Sequence, residues 1–176
     1  MKKKPREYYI IDGYNVINSW PELMKLRGDL SEARDRLIHM LIEYGAYEKY
    51  NMTVVFDALF TEDEEHIEVI NPHFDVVYTG RGETADSYIE RRAYDYVRRG
   101  SEVHVVTSDG AEQSMVLGAG AYRHPSREFY RIIKRAKKEL QKGYLDRVKL
   151  PVSRNEIGNN LDAATMAKLD ALRKKK

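Results

Sequence analysis

Three aspartates stand directly after apolar runs of the sequence. Asp12 follows YYII, Asp57 follows TVVF, and Asp109 follows VHVVTS. A fourth, Asp86, lies in the segment ETADSYIE, where a helix is predicted to begin. Carboxylate oxygens are ligands for Mg²⁺ and Mn²⁺, and an ion held by acids can activate water and neutralise a phosphodiester transition state. Hydrolysis at a phosphodiester is therefore the first hypothesis for this chain.

Each of these acids also has an ordinary structural explanation. Asp12 with Gly13 is a common turn pair. Asp109 with Glu112 resembles a capping box, and an acid in a first helical turn, such as Asp86, is favoured by the helix dipole. Together they favour a site, because four separate turns are predicted to bring carboxylates to one place. Two carboxylates ~4 Å apart repel by roughly 4 kcal/mol at an effective dielectric constant of about 20. Proton uptake or a bound cation must offset that repulsion.

The elements that must position these acids are four short apolar runs, at 8–11, 53–56, 75–78 and 103–106. Their continuous apolar character is typical of parallel strands covered on both faces. Helical patterns lie between most of them, which predicts a doubly wound α/β fold. We expect the strand order 3-2-1-4, counted along the chain, so that the acids meet at the carboxyl edge of the sheet.

Three helices are predicted from apolar spacing and capping residues. The first begins after Asp29 or Ser31, and the second begins after Thr84. The third begins at Ser126 and ends near Gly143. The polar link between the second and third strands has no assigned structure.

The acids and their neighbours occur in a recognisable order. DGYN follows the first strand, FDA the second, ETAD begins a helix, and TSD follows the fourth strand. This set resembles the NYN branch of the PIN-like ribonucleases, and within it the YacP-like proteins, which include ribosome-associated mRNA endonucleases. The resemblance covers roughly residues 8–140. It implies a PIN-like, three-layer α/β/α fold and a metal-dependent endoribonuclease that uses Mg²⁺ or Mn²⁺.

The resemblance also implies roles for individual residues. Asp12, Asp86 and Asp109 would hold the metal, and Asn15 would orient Asp12 or touch the scissile phosphate. Asp57 stands where the family pattern allows a further acid. Glu83 is an additional candidate ligand.

The domain organisation follows from the same resemblance and from composition. Residues 1–149 are expected to form one NYN/PIN-like nuclease domain that includes a basic helix, 127–142. Residues 150–176 are expected to form a C-terminal appendage, a loop followed by a short helix.

Charge is uneven along the chain and points to a polyanionic partner. The net charge is only +2, but residues 123–149 hold ten Lys or Arg against three acids. A basic face of this kind is compatible with nucleic-acid binding, although most charged helix faces are simply solvated. The candidate RNA-binding residues are Arg127, Arg131, Lys134, Arg135 and Lys138. RNA, and mRNA in particular, is the expected substrate, and the ribosome is a partner by resemblance alone.

Several classes of site and protein are excluded or disfavoured. The chain has no Cys, which excludes disulfides, thiolate zinc sites and Cys nucleophiles and favours a cytoplasmic setting. No signal peptide or membrane segment is recognised, and GAGA at 118–121 does not fit a dinucleotide loop. The five histidines show no paired metal spacing, and His104, inside a predicted strand, is interpreted as a satisfied core or surface imidazole and not as a ligand.

Two other functions remain open at this point. One is a catalytically silent module that binds RNA or the ribosome with the same fold. The other is a receiver-like signalling domain, which also places acids around Mg²⁺. A receiver normally has two adjacent acids after its first strand, whereas Gly13 follows Asp12 here.

Overall fold

The computed structural model describes residues 7–58, 64–110 and 118–148, which form a mixed α/β fold. A six-stranded sheet has the order β3-β4-β2-β1-β5-β6, in which β3 is antiparallel to β4 and the other pairs are parallel. The strands are β1 (Tyr8–Asp12), β2 (Asn51–Phe56), β3 (His66–Asn71), β4 (Phe74–Tyr78), β5 (Val103–Val106) and β6 (Tyr122–His124). The four predicted strands are β1, β2, β4 and β5, so their predicted order is confirmed.

Five helices are present in the described part of the chain. They are α1 (Gly13–Ile17), α2 (Pro21–Met24), α3 (Leu30–Glu48), α4 (Ala85–Arg98) and α5 (Ser126–Val148). Asp29 caps α3 by accepting a hydrogen bond from the Glu32 backbone N–H, and Thr84 caps α4 in the same way through Ser87. The predicted end of α5 near Gly143 was wrong, because the helix continues to Val148.

The two strands that the sequence did not predict lie at the edges of the sheet. β3 is exposed along nearly all its length, and β6 has only three residues. Neither is buried on both faces, so neither carries the continuous apolar run that identifies a central strand. The link without an assigned structure therefore contains an antiparallel edge strand.

Two hydrophobic cores, one on each face of the sheet, confirm the three-layer arrangement. On one face, Ile11 and Val54 pack in a cluster with Leu37 of α3 and Phe129 of α5. The other face forms a second cluster with residues of α4, whose central members are Ile10, Val55, Ile89 and Val105. Burying each such side chain contributes about 1.5–3 kcal/mol, which holds the helices against a rigid sheet.

The chain divides into two compact units, residues 1–137 and residues 138–176. Of the second unit, only the last turns of α5 are described. The predicted domain boundary at 149 and the predicted helix in the appendage lie outside the described residues and stay predictions. Among the described helices, none combines the length and the apolar character that crossing a membrane requires.

Candidate active site

Asp12 is placed by the last residue of β1 and the first turn of α1. Its Oδ1 accepts a hydrogen bond of 3.0 Å from the backbone N–H of Asn15, so Asp12 is the N-cap of α1. Gly13 follows because the chain turns against the Phe56 ring. A Cβ on Gly13 would lie 2.2 Å from that ring. Asp12 and Gly13 therefore allow α1 to begin directly after β1.

Asp57 and Asp86 are brought to the same edge by the start of α4. Asp57 follows β2, and its Oδ2 lies 3.4 Å from the backbone N–H of Ala85, the first residue of α4. Asp86 is the next residue of that helix. The side chains of both acids are partly buried. The start of α4 thus links Asp57, which follows β2, to Asp86.

Asp109 follows β5, the neighbour of β1 on its other side. The Asp109 backbone N–H donates to Oγ1 of Thr107 over 3.1 Å, and Thr107 is fully buried. Asp109 itself is exposed. The buried Thr107 therefore fixes the turn after β5, while Asp109 remains exposed.

The electrostatics of Asp12 show that the four aspartates share one environment. Burial raises the pKa of Asp12 to about 6 from 3.8, although the hydrogen bond from Asn15 opposes the rise. Neighbouring carboxylates raise this pKa further; in decreasing order of effect they are Asp86, Asp109 and Asp57. We refer to these four residues, Asp12, Asp57, Asp86 and Asp109, as the aspartate edge.

The aspartate edge has the donor chemistry of a site for a hard divalent cation. All its donors are carboxylate oxygens, which suits Mg²⁺ or Mn²⁺. Its oxygens are not drawn together as tightly as ligands around one ion. Among the described residues, three ligand atoms lie within 4.8 Å of one another only at Glu7, Glu102 and His104, elsewhere on the sheet.

Asn15, in α1, links the loop after β5 to the start of α5. Its Oδ1 accepts hydrogen bonds from the Ser108 backbone N–H at 2.9 Å and from the Ser126 hydroxyl at 2.6 Å. Ser126 in turn donates its backbone N–H to Oγ of Ser108 over 3.0 Å. Asn15 therefore orients Asp12 through its backbone, while its side chain fixes the loop that carries Asp109 and the start of α5.

Ser108 and Ser126 are positioning residues that sequence reasoning missed. From the sequence alone, Ser126 is identified as a helix start and Ser108 as the middle residue of TSD. The two serines offer hydroxyl groups for hydrogen bonding, but no local sequence pattern relates them to Asn15. The pairs are 93 and 111 residues apart in the chain.

Glu83 does not join the aspartate edge as a free carboxylate. Arg91 contacts both of its oxygens, with the shortest distance 2.9 Å from Nη2 to Oε1. Arg91 also lies 3.4 Å from Glu65. Because Glu83 already has a cation beside it, this residue fits the role of a helix-surface ion pair better than that of a metal ligand.

Arg34 of α3 is a cation that contacts α1 and that the sequence did not single out. Its Nη1 donates to the Tyr14 hydroxyl over 3.0 Å, and Tyr14 is two residues after Asp12. The Tyr14 ring packs edge-on against Phe56, with ring centroids 5.1 Å apart. The Arg34 guanidinium is therefore held beside α1, the helix that begins directly after Asp12.

The predicted basic helix exists and presents its cations to solvent. Phe129, Ile133 and Ala136 of α5 are buried on the opposite side of the helix. The exposed cations of α5 in the first compact unit are Arg127, Arg131, Lys134 and Arg135. We refer to these four as the basic stripe. Lys138, which is also exposed, is the first residue of the second unit.

The fold adds acids near α5 that the sequence did not count. Lys134 Nζ lies 3.8 Å from Glu22 of α2, and Lys137 Nζ lies 3.7 Å from Glu43 of α3. Exposed pairs of this kind contribute about 0–1 kcal/mol. Lys134 is thus partly neutralised, whereas the three arginines carry the stripe's charge.

Comparison with known proteins finds both similar chains and similar structures. The model of the YacP-like NYN domain matches residues 9–174. The uncharacterized protein YacP of Bacillus subtilis (strain 168) is 36% identical over 134 residues, which cover 76% of this chain and 78% of that protein.

Two crystal structures of Rae1 (YacP) from Bacillus subtilis are similar to this fold. A mutant form has a TM-score of 0.71 at 30% identity, covering 94% of this chain and 99% of that one. The other structure has a TM-score of 0.70 at 28% identity, covering 96% and 95%. The expected PIN-like architecture is therefore confirmed.

Proposed function

The chain belongs to the YacP-like NYN domain family, and from this premise we propose that it is a divalent-metal-dependent endoribonuclease acting on RNA. The family is of nuclease type, which supports phosphodiester hydrolysis as the reaction class. The observation that carries the proposal is the convergence of Asp57, Asp86 and Asp109 on Asp12, whose pKa is raised to about 6. Burial and the neighbouring carboxylates both raise this pKa, and a bound cation would offset them by stabilising the charged form of Asp12.

Asp12, Asp86 and Asp109 would hold the metal, with Asp57 as a further oxygen donor. Mg²⁺ or Mn²⁺ is the proposed ion because every donor is a carboxylate. When bound, the ion supplies positive charge for a phosphodiester and lowers the pKa of water. Glu83 is not part of this proposed set, since Arg91 engages its carboxylate.

Asn15 is proposed to act as the positioning residue of the reaction. Its backbone N–H holds one oxygen of Asp12, which fixes the carboxylate's orientation. Its side-chain oxygen is the acceptor for Ser108 and Ser126, so its amide NH₂ is the part that can donate to a phosphate oxygen.

RNA would be held by Arg34 and by the basic stripe. Arg34 bonds to Tyr14 of α1, and the basic stripe begins directly after Ser126, which bonds to Asn15 of the same helix. Arginine suits phosphates because its guanidinium donates in a fixed fork. The proposed substrate is mRNA and the proposed partner is the ribosome, which rest on the family resemblance. The basic stripe is compatible with either.

The experiment is cleavage of end-labelled RNA by the purified chain with Mg²⁺, with Mn²⁺ and with a chelator. We expect internal fragments that require the metal and that disappear with Asp86→Asn. Asp95→Asn, on the same helix α4, is the matched control and should cleave normally. Undiminished cleavage by Asp86→Asn would remove the aspartate edge from the chemistry. RNA binding without cleavage in any metal would favour the silent binding module.

A further inference from the structure

A second group of ionisable side chains lies at the amino ends of β1 and β5. Glu7 precedes β1, Glu102 precedes β5, and His104 is the second residue of β5. Tyr8 pairs with Val103, so the two glutamates are neighbours across the strand pair. One potential ligand atom from each of the three residues lies within 4.8 Å of the other two. This group is separated from the aspartate edge by the length of β1.

The imidazole of His104 is held in a fixed orientation. It is only 8% exposed and is stacked on Tyr9 and Tyr122, at ring-centroid distances of 4.6 and 5.1 Å. Its Nδ1 lies 2.9 Å from Nε2 of His124, which directs Nε2 of His104 toward the two carboxylates. Histidine ligands of metals characteristically make such a hydrogen bond through the other ring nitrogen.

The distances within the group fit a shared metal better than direct hydrogen bonds. His104 Nε2 lies 3.4 Å from an oxygen of Glu7 and 3.5 Å from an oxygen of Glu102. A charge-assisted N–H···O bond measures about 2.7–2.9 Å. Two ligand atoms each about 2.0 Å from a tetrahedral ion lie about 3.3 Å apart. The observed separations therefore match two edges of a tetrahedron.

We propose that Glu7, Glu102 and His104 form a binding site for a divalent transition metal, with Zn²⁺ as the best fit. One nitrogen and two oxygens suit Zn²⁺, whereas Mg²⁺ prefers oxygen alone. Three protein ligands leave a fourth position for water. The ion would join the amino ends of two adjacent central strands, so it stabilises the fold and takes no part in cleavage. The alternative is a metal-free imidazole that pairs with the glutamates.

The test is Zn²⁺ binding by the full chain carrying Asp12→Asn and Asp109→Asn, which weaken metal binding at the aspartate edge. Equilibrium dialysis with Zn²⁺ alone should give one tight site. Co²⁺ should give the strong visible absorption of a tetrahedral site. Adding Glu102→Gln should weaken the affinity at least tenfold, since loss of even an outer-shell partner costs about 10–100-fold. The Glu102 side chain is 44% exposed, so this change should leave the fold intact.

The matched control is Glu90→Gln, an exposed glutamate on α4. Equal Zn²⁺ affinity in Glu102→Gln and Glu90→Gln proteins would overturn the proposal. The absence of a tight Zn²⁺ site in the protein that keeps Glu102 would also overturn the proposal. Circular dichroism of each variant shows whether it is folded, and His104→Gln provides a second test if Glu102→Gln is not. RNA cleavage does not enter the readout, so the proposal stands or falls separately from the nuclease assignment.

Discussion

The two ends of β1 carry ionisable groups of different construction. At the carboxyl end, Asp12 belongs to a set whose donors stand on turns and on a helix start, and all are oxygens. At the amino end, Glu7 and Glu102 face His104, which is clamped between aromatic rings inside the sheet. The first arrangement is open to a polymer and suits a hard cation. The second is compact and suits Zn²⁺.

The position of a carboxylate in the sheet determines which groups can fix it and which cation it suits. At the carboxyl edge, a backbone N–H can orient a carboxylate at a strand end, as that of Asn15 orients Asp12. At the amino end, the strand register itself fixes the ligands. The predictions below change one end and use the other as the reference.

The largest effect on stability is expected from Asp12→Asn in the metal-free protein. A pKa raised from 3.8 to about 6 corresponds to about 3 kcal/mol of cost for the charged carboxylate above about pH 6. The folded protein binds this proton more tightly than the unfolded chain, so the cost appears as the pH rises from about 4 to about 6. Asn can still accept the Asn15 hydrogen bond but cannot ionise.

Urea unfolding with a chelator, at several pH values, measures this difference. Asp12→Asn should be the more stable protein above about pH 6, and the gain should vanish below about pH 4. Glu102→Gln, at the other end of β1, serves as the reference for loss of one carboxylate. A gain for Asp12→Asn that is the same at every pH would show that the charge of Asp12 is not its cause.

Asn15→Ala should reduce the proposed cleavage about 10–100-fold, the range seen when a partner that orients a ligand is lost. The backbone bond to Asp12 remains, but Ser108 and Ser126 lose their shared acceptor. Single-turnover cleavage at saturating metal measures the effect. Asn18→Ala, an exposed residue in the same segment, is the control. Equal rates for the two variants would mean that the Asn15 side chain positions nothing of consequence.

Part of the fold and of the candidate site could be predicted from the sequence, and part could not. The aspartates were predicted to meet because the carboxyl ends of parallel strands share an edge, and the strand order followed from the βαβ pattern. The linkage of Asn15 to Ser126 was not predictable, because it depends on how the turn after β6 packs against α1. His104 was interpreted as a satisfied core or surface imidazole, since its glutamate neighbours become visible only once β1 and β5 are paired.

The basic stripe should affect RNA affinity more than chemistry. Replacing Arg131 and Arg135 with Gln should lower the slope of log affinity against log salt by about 1.4, if each contacts one phosphate of a single strand. Cleavage at saturating RNA should stay near the wild-type rate, because the aspartates are untouched. Salt-dependent binding of a labelled RNA checks this.

The control for the stripe is the pair Arg98→Gln and Arg99→Gln. These exposed arginines lie at the carboxyl end of α4, so their substitution removes the same charge from a different surface. Identical slopes for the two double variants would mean that the stripe of α5 is only a solvated face.

The smallest effect is expected from Glu102→Gln on RNA cleavage in Mg²⁺. The change should leave the rate within about twofold, because the amino end of β1 is remote from the aspartate edge and supplies no oxygen to it. A rate assay beside the wild type checks this. A loss as large as that caused by Asn15→Ala would mean that the two ends of β1 act as one functional unit.

We propose that the aspartate edge, and not the group formed by Glu7, Glu102 and His104, is the nuclease centre. Mg²⁺ affinity and Mg²⁺-dependent RNA cleavage, measured together in the wild type, Asp86→Asn and Glu102→Gln, test this assignment, because Mg²⁺ prefers oxygen ligands alone. We predict that both quantities collapse in Asp86→Asn and that both persist in Glu102→Gln. Mg²⁺ affinity and cleavage that survive in Asp86→Asn, or that are lost in Glu102→Gln, would show that the aspartate edge is not the nuclease centre.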